Sequence, residues 1–169
     1  FSNGYELNSK ILNGINKLAD NVATTLGPKG RNVILFHKEQ GVPVITKDGV
    51  TVAKFVDLED PFENVGAQIV KQAAEQSATK AGDGTTTATV LTRAILQQAQ
   101  KYLTAGVSPI EIKRGMDKAS DAIVERLKDA AIPVRSENDI RHIATISANN
   151  DKSIGTLISK AVDSAGKDG

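Results

Sequence analysis

A glycine-rich segment followed by three threonines contains the residues best suited to bind a phosphate chain. Residues 82–89 read Gly-Asp-Gly-Thr-Thr-Thr-Ala-Thr and lead directly into a run with helical periodicity. The first N–H groups of a helix have no acceptor within the helix, and the helix dipole adds partial positive charge there, so such a start can bind phosphate. The threonine hydroxyls would add donors, and Asp83 would hold the Mg²⁺ that accompanies a nucleotide.

The same segment fits a second interpretation in which nothing binds. Glycine-rich turns before helices are common, and threonine side chains can cap the helix start themselves. The segment lacks both the Gly-Lys-Ser/Thr ending of a Walker A loop and the spacing of the dinucleotide fingerprint. Residue types and spacing therefore leave a phosphate site and an ordinary helix start both open.

Two further short segments can serve either as turns or as parts of a site. Gly27-Pro28-Lys29-Gly30 reads as a helix stop with a connecting turn, or as a second functional glycine loop. Lys47-Asp48-Gly49 reads as a β-turn, or as a carboxylate that orients an attacking water or binds the metal. Phosphoryl transfer depends mostly on positioning and electrostatics, so one well-placed aspartate is sufficient.

Hydrophobic periodicity predicts the elements that must position these segments. Apolar residues at three- and four-residue steps predict a helix over 7–26, capped by Asn8 or Ser9. From residue 61 the pattern is helical nearly to the end. β-rich runs predict extended structure at 32–36, 42–46 and 51–56. The sequence therefore predicts a mainly α fold with a small β-hairpin region.

The composition argues against several classes of protein. The 169 residues include 21 Lys+Arg and 20 Asp+Glu, a net charge of +1 that lacks the basic excess of a nucleic-acid-binding domain. The longest apolar run, 33–36, is far shorter than the about 20 residues of a membrane-spanning helix. Cysteine is absent, which excludes disulfides, thiolate zinc sites and a cysteine nucleophile and fits a reducing cytosol.

Several of these segments together resemble the group I chaperonins, the bacterial GroEL class. The Gly-Asp-Gly-Thr-Thr-Thr and Gly-Pro-Lys-Gly segments are the most specific, and the spacing between matching segments follows the family along nearly the whole chain. The helices after Ala94 diverge, which indicates an outlying member that is viral or from an unusual bacterium. The matching segments are 25–33, 45–50, 62–64, 66–67, 81–91, 113–115 and 145–149.

The resemblance implies two domains. Residues 1–129 would form the first half of a helical equatorial domain that binds ATP, and residues 130–169 would begin an intermediate, hinge-bearing domain. Residues 36–52 would form a stem-loop that touches the neighbouring subunit of a ring. The apical domain of the family has no counterpart in this sequence, so we expect the chain to be the N-terminal portion of a longer subunit.

The resemblance also implies a site that binds ATP, Mg²⁺ and K⁺. Asp48 would be the catalytic residue that positions the hydrolytic water. Asp83 would bind Mg²⁺, and the backbone of Thr25 and Lys47 would bind K⁺. The residues that contact the nucleotide and its ions would be Thr25, Leu26, Gly27, Pro28, Lys47, Asp83, Gly84, Thr85, Thr86 and Thr87.

The function implied by the resemblance is that of an ATP-dependent protein-folding chaperone. ATP binding and hydrolysis would drive domain movements that capture, enclose and release non-native polypeptides. The partners would be copies of the same subunit in a heptameric ring or rings, polypeptide clients and a co-chaperonin lid, with no nucleic acid and no membrane. We expect a cytoplasmic location, and no ATPase activity from this segment alone because half of the family's site is missing.

Two other functions remain open at this point. A ring-forming assembly subunit could bind nucleotide without any foldase activity, although the presence of Asp48 and Asp83 argues against a loss of hydrolysis. An unrelated phosphotransferase could use residues 82–87 as a phosphate loop. It would also need an acceptor site and an activating base, and the sequence offers no convincing candidate for either.

Overall fold

The computed structural model describes residues 4–36, 41–148 and 150–166. Its elements in chain order are α1 (Gly4–Ala23), β1 (Val33–Phe36), β2 (Pro43–Thr46), α2 (Gly49–Phe55), α3 (Pro61–Ala81), α4 (Thr85–Thr104), α5 (Pro109–Ala130), α6 (Glu137–Ser147) and α7 (Lys152–Ala165). The mainly α fold with a small β-hairpin is confirmed.

The chain divides into two compact units, one ending at Lys113 and the other beginning at Arg114, so that the boundary falls inside α5. The first unit contains α1 to α4 and the hairpin, and the second contains α6 and α7. The division into an equatorial and an intermediate domain after residue 129 stays a prediction. Among the described residues, no helix combines the length and the hydrophobicity that a membrane crossing requires.

The core of the first unit is built from α1, α2, α3 and β1. Leu18 and Val22 of α1 are completely buried, as is Val70 of α3. The remaining buried members of this core are Ile15, Leu35, Val52, Ala53, Ala67 and Ala74. Several of these side chains are small, and this allows the helix backbones to approach one another closely.

Two glycines mark the closest approach between α1 and α3. A Cβ atom at Gly14 would lie 1.7 Å from the carbonyl oxygen of Glu63, and one at Gly66 would lie 2.0 Å from the carbonyl oxygen of Ile11. Glycine inside a helix costs about 1 kcal/mol relative to alanine. Since any side chain would collide with backbone here, close packing explains why both helices nevertheless carry glycine.

Charged side chains join the same two helices at the start of α3. Lys10 Nζ lies 2.8 Å from Asp60 Oδ2, and Lys17 Nζ lies 2.5 Å from Glu63 Oε2. Asp60 also caps α3 by accepting hydrogen bonds from the N–H groups of Phe62 and Glu63. The hydrogen bond from Lys10, together with those from the two amides, lowers the pKa of Asp60.

The hairpin presents one apolar side to the core and leaves another exposed. Its strands pair antiparallel, with Ile34 opposite Ile45 and Phe36 opposite Pro43. Leu35 is buried, whereas Ile34, Ile45 and Phe36 are exposed. Pro43 begins β2, a position where its missing N–H costs no central ladder bond. The connection 37–40, part of the expected stem-loop, lies outside the described residues.

The extended structure expected over 51–56 is wrong, because most of these residues belong to α2. Asp48 caps this helix, and the neighbouring residues Val52 and Ala53 are both buried. Adjacent residues of a strand point to opposite faces, whereas a helix can bury both. Burial therefore outweighs the β preference of Thr51 and Val52, which depends strongly on context.

The first helix also begins earlier than the sequence predicted, at Gly4 rather than beside Asn8 or Ser9. Glu6 lies in its first turn, where the helix dipole favours an acidic side chain. This interaction supports the additional turn.

In the second unit, α6 and α7 form a closely packed pair. Ser136 and Asp139 make a capping box at the start of α6. A Cβ atom at Gly155 of α7 would lie 2.0 Å from Thr145 Oγ1 of α6, and Ser159 is completely buried. Small residues on α7 therefore set the distance between the two helices.

We predict that Gly66→Ala destabilises the protein by about 1–3 kcal/mol or more, because the new methyl group must push α1 away from α3. Urea unfolding of the purified protein measures this change. The matched control is Gly115→Ala in α5, where an added Cβ meets no atom within 4 Å. Gly115→Ala should leave the free energy of unfolding unchanged or raise it by up to about 1 kcal/mol. An equal gain from both substitutions would contradict the packing argument.

Candidate nucleotide-binding site

A cavity of about 250 Å³ in the first unit brings the predicted site residues together. Its wall comes from the loop after α1, the junction between β2 and α2, and the junction between α3 and α4. Pro28 is not part of this wall, and Gly49, which the sequence predicted only as a turn residue, belongs to it. The lining residues are Thr25, Leu26, Gly27, Lys47, Asp48, Gly49, Asp83, Gly84, Thr85, Thr86 and Thr87.

The junction between α3 and α4 leaves the start of α4 open to a ligand. Gly82 ends α3 at φ 69° and donates its N–H to the carbonyl of Ala78. Gly84 is the N-cap of α4 at φ 78°, and no side chain caps the helix there. Both conformations are left-handed and favour glycine. The threonine cap of the second interpretation is therefore not formed, and the first N–H groups of α4 remain for water or a ligand.

Asp83 is fixed at this junction through both its side chain and its backbone. Its Oδ1 accepts a hydrogen bond from the N–H of Gly84 at 2.6 Å. Its carbonyl oxygen accepts one from Ser77 Oγ at 2.7 Å. The carboxylate therefore has a defined direction at the cavity wall. Ser77 belongs to no motif, and nothing in its sequence surroundings singled it out.

The loop after α1 is folded by its own backbone. Arg31 N–H donates to the carbonyl of Thr24 at 2.8 Å and Gly30 N–H to that of Gly27 at 2.9 Å. Thr25 Oγ1 donates to the carbonyl of Val22 at 2.7 Å. These bonds return the chain on itself, so that residues 25–27 line the cavity.

A hydroxyl pair connects this loop to α4. Thr25 Oγ1 and Thr86 Oγ1 lie 3.1 Å apart. A hydroxyl has a single hydrogen, and Thr25 uses its own toward Val22, so Thr86 is the donor of the pair. The loop after α1 and the first turn of α4 are thus joined by a direct hydrogen bond beside the cavity.

Asp48 lies at the junction between β2 and α2 and acts as a helix cap. Its N–H donates to Thr46 Oγ1 at 3.0 Å. Its Oδ2 accepts hydrogen bonds from Thr51 N at 2.9 Å and from Thr51 Oγ1 at 2.5 Å. The β-turn expected over 47–49 is therefore an N-cap, and the carboxylate is held by the helix that it starts.

Gly49 lies in the wall, so close to the first turn of α4 that a larger residue would have to displace the Thr86 side chain. A Cβ atom at this position would lie 2.3 Å from Thr86 Oγ1 and 3.2 Å from the backbone nitrogen of Thr86. Gly49 is not among the residues with positive φ, so its role is close approach and not turn formation. The sequence signal for this role was present in Lys-Asp-Gly but was interpreted as a turn.

Two contacts along α1 hold α4 in place. Gln97 Nε2 donates to Asn16 Oδ1 at 2.8 Å, and Arg93 forms an ion pair with Asp20. Both lie within the first unit, on the helix whose first turn lines the cavity. The position of that turn therefore depends on α1 as well as on the α3–α4 junction.

The two carboxylates of the site could bind a cation whose remaining ligands are waters or phosphate oxygens. Asp48 and Asp83 both line the cavity, and Lys47 lies beside them. Within the described ranges, no group of three or more His, Cys, Asp or Glu could hold a metal ion. Mg²⁺ is usually bound by one or two carboxylates together with substrate phosphates and waters. The donor set present fits such an ion but not an all-protein metal cage.

Two comparisons with known proteins identify the family to which the chain belongs. The sequence model of the TCP-1/cpn60 chaperonin family matches residues 18–169. Among solved structures, the chaperonin gp146 from the bacteriophage EL 2 (Pseudomonas aeruginosa), determined in the presence of ATP-BeFx, is 26% identical with a TM-score of 0.78. The match covers 94% of this chain and 28% of that one. Because the family match extends over most of the sequence, this chain belongs to the TCP-1/cpn60 chaperonin family.

Proposed function

We propose that the chain is part of an ATP-dependent protein-folding chaperone subunit and that its cavity binds the phosphates of ATP. The observation that carries the proposal is the convergence of three chain segments on one cavity whose wall contains two aspartates and an uncapped helix start. Family membership supports it. The structure of gp146 in the presence of ATP-BeFx supports it further, because that relative has the same fold over this region.

The start of α4 would bind the phosphate groups. The three threonines after Gly84 offer backbone N–H groups, hydroxyls and the positive end of a helix dipole. The cavity has a volume of about 250 Å³, whereas typical ligand pockets measure about 300–1,000 Å³. Its small size suits the phosphate groups of a nucleotide and not the whole molecule. The base and sugar would need other contacts. We therefore expect the ATPase activity in the full-length subunit and little from this chain alone.

Asp83 would hold Mg²⁺, and the backbone carbonyls of Thr25 and Lys47 would hold K⁺. Bound Mg²⁺ would neutralise negative charge on the phosphate oxygens. The hydrogen bond from the Gly84 N–H fixes the Asp83 carboxylate before any ion binds. Thr25 and Lys47 lie on two different segments of the wall, so an ion between them would join these segments.

Asp48 would position the water that attacks the terminal phosphate. Its hydrogen bonds from Thr51 both converge on Oδ2. Among the contacts of the described residues, Oδ1 therefore remains as an acceptor for a water. Because phosphoryl transfer depends mainly on positioning, a carboxylate fixed by a helix cap can perform this role.

ATP would act on the assembly by favouring one conformation of the subunit over another. A ligand shifts such an equilibrium only through different affinities for the two states. The site is formed by loops that also connect α1, α3 and α4, so a bound nucleotide would change how these helices are held. We propose that this change drives capture, enclosure and release of non-native polypeptides by rings of subunits, heptameric and closed by a co-chaperonin lid.

The exposed side of the hairpin supports contact with a neighbouring subunit. Ile34 and Ile45 lie opposite each other on it, 68% and 64% exposed, and Phe36 continues the same side. Apolar side chains grouped on a two-stranded ribbon are typical of surfaces that a partner covers. A ring would provide that partner as a second copy of the same subunit.

The proposed function is tested with the full-length protein by three measurements: its assembly size, its ATP turnover, and its refolding of a denatured client with and without ATP. We expect ring-sized assemblies whose refolding activity requires ATP. Rings that bind ATP but never refold a client would favour the assembly-subunit alternative. A protein that binds no nucleotide would overturn the proposal.

We predict that Asp48→Asn lowers ATP turnover by about 100-fold or more, as loss of a catalytic group usually does, while nucleotide affinity changes by less than about threefold. Asparagine can still cap α2, so the substitution removes the charge without removing the helix start. Turnover assays and calorimetric titration measure the two effects. The control is Asp57→Asn, an exposed aspartate that accepts a hydrogen bond from Asn64 Nδ2 outside the site. Equal losses of binding and turnover would contradict the positioning role.

We also predict that Gly49→Ala weakens nucleotide binding by about tenfold, equivalent to about 1.4 kcal/mol. The added methyl group would displace the Thr86 hydroxyl, 2.3 Å away, from the wall of the cavity. Isothermal titration with ADP and Mg²⁺ measures the change, and Gly115→Ala serves as the control. Wild-type affinity in Gly49→Ala would show that the contact with Thr86 does not matter for binding.

A further inference from the structure

We propose that Ser77 is a positioning residue of the nucleotide site. Its hydroxyl fixes the peptide group between Asp83 and Gly84, and through it the direction of the Asp83 carboxylate and of the Gly84 N–H. This inference rests on the proposed nucleotide binding at the start of α4. It adds a residue that lies outside the cavity wall and outside every motif of the sequence.

The side chain of Ser77 has an unusual direction for a serine in a helix. Serine within a helix commonly faces solvent or donates back to the carbonyl four residues earlier. Ser77, near the end of α3, instead donates forward to the carbonyl oxygen of Asp83 at 2.7 Å. The hydroxyl therefore connects the last turns of α3 to the loop that follows it.

The geometry of the peptide bond between Asp83 and Gly84 carries the effect of this contact to the cavity. A trans peptide is planar, and its C=O and N–H point in opposite directions. When Ser77 holds the Asp83 carbonyl toward α3, the N–H of Gly84 must point the other way. There Asp83 Oδ1 accepts it at 2.6 Å. One hydroxyl thus determines the orientation of the peptide group and of the carboxylate proposed to bind Mg²⁺.

The hydrogen bond from Ser77 also restricts the conformational freedom of the loop around Asp83. Gly82 and Gly84 flank Asp83, and both adopt positive φ, at 69° and 78°. Glycine gives a loop many accessible conformations and loses more entropy on ordering than other residues. A side-chain hydrogen bond to the peptide between them opposes rotation of that peptide. Ser77 Oγ also lies close to Gly84: a Cβ atom added to Gly84 would be 3.5 Å from it.

The test uses the full-length protein and measures the dissociation constant of ADP with Mg²⁺ by calorimetry, together with the melting temperature without nucleotide. We expect Ser77→Ala to weaken binding about threefold to tenfold, the effect of one net hydrogen bond. Its melting temperature should not fall, because alanine is the better helix former. Ser77→Thr keeps the hydroxyl and should bind as the wild type does.

The matched control is Thr79→Ala, which removes a hydroxyl from an exposed position of the same helix, outside the cavity wall. If the wild type binds ADP and Ser77→Ala binds as tightly as Thr79→Ala, the positioning role is wrong while the proposed function stands. A fall in melting temperature that accompanies the loss of binding would likewise overturn it, since the role would then be structural. If the wild type binds no nucleotide, the proposed function and this inference are both overturned.

Discussion

The contact between α1 and α3 is the constraint on which the rest of the first unit depends. At Gly14 and Gly66 the two backbones meet without side chains between them. Rigid packing of this kind fixes the ends of both helices, and two of the loops that border the cavity begin at those ends. The third part of the wall follows β2, whose partner strand is anchored in the same core through Leu35. The positions of the residues that line the cavity therefore depend on the packing of α1 against α3.

The polar groups of the cavity wall also serve the fold. Asp48 starts α2, Thr25 closes the end of α1, and Thr86 donates to Thr25. Few of these groups would be free to move independently of a helix. A ligand that competes for one of them would alter a helix end as well as a surface.

Much of the fold follows from the sequence. Apolar periodicity predicted the long helices, and local signals stand at their observed ends: Gly82 ends α3, and Ser136 with Asp139 caps the start of α6. These signals are local, because a helix end and its cap lie within a few residues of each other. The short helix α2 was missed, since Thr51 and Val52 favour strands and only burial of Val52 and Ala53 reverses this preference.

The site was predictable to a similar degree. Its glycines, threonines and aspartates form recognisable segments, and the structure brings them together except for Pro28. The roles of Gly49 and Ser77 were not predicted, because each depends on a contact with residues that the sequence pattern does not connect to it. Gly49 leaves room for Thr86, and Ser77 reaches the backbone of Asp83 six residues away. No rule of sequence spacing predicts either contact, so both become visible only in the three-dimensional structure.

The outward side of the hairpin has a consequence for how such a subunit can exist alone. Unpaired strand edges beside uncovered isoleucine and phenylalanine side chains can template pairing with another chain. A monomeric subunit would therefore tend to aggregate through this hairpin. Aggregation would increase with protein concentration unless assembly with other subunits buries the hairpin first. The timing of assembly after synthesis would then matter as much for solubility as for activity.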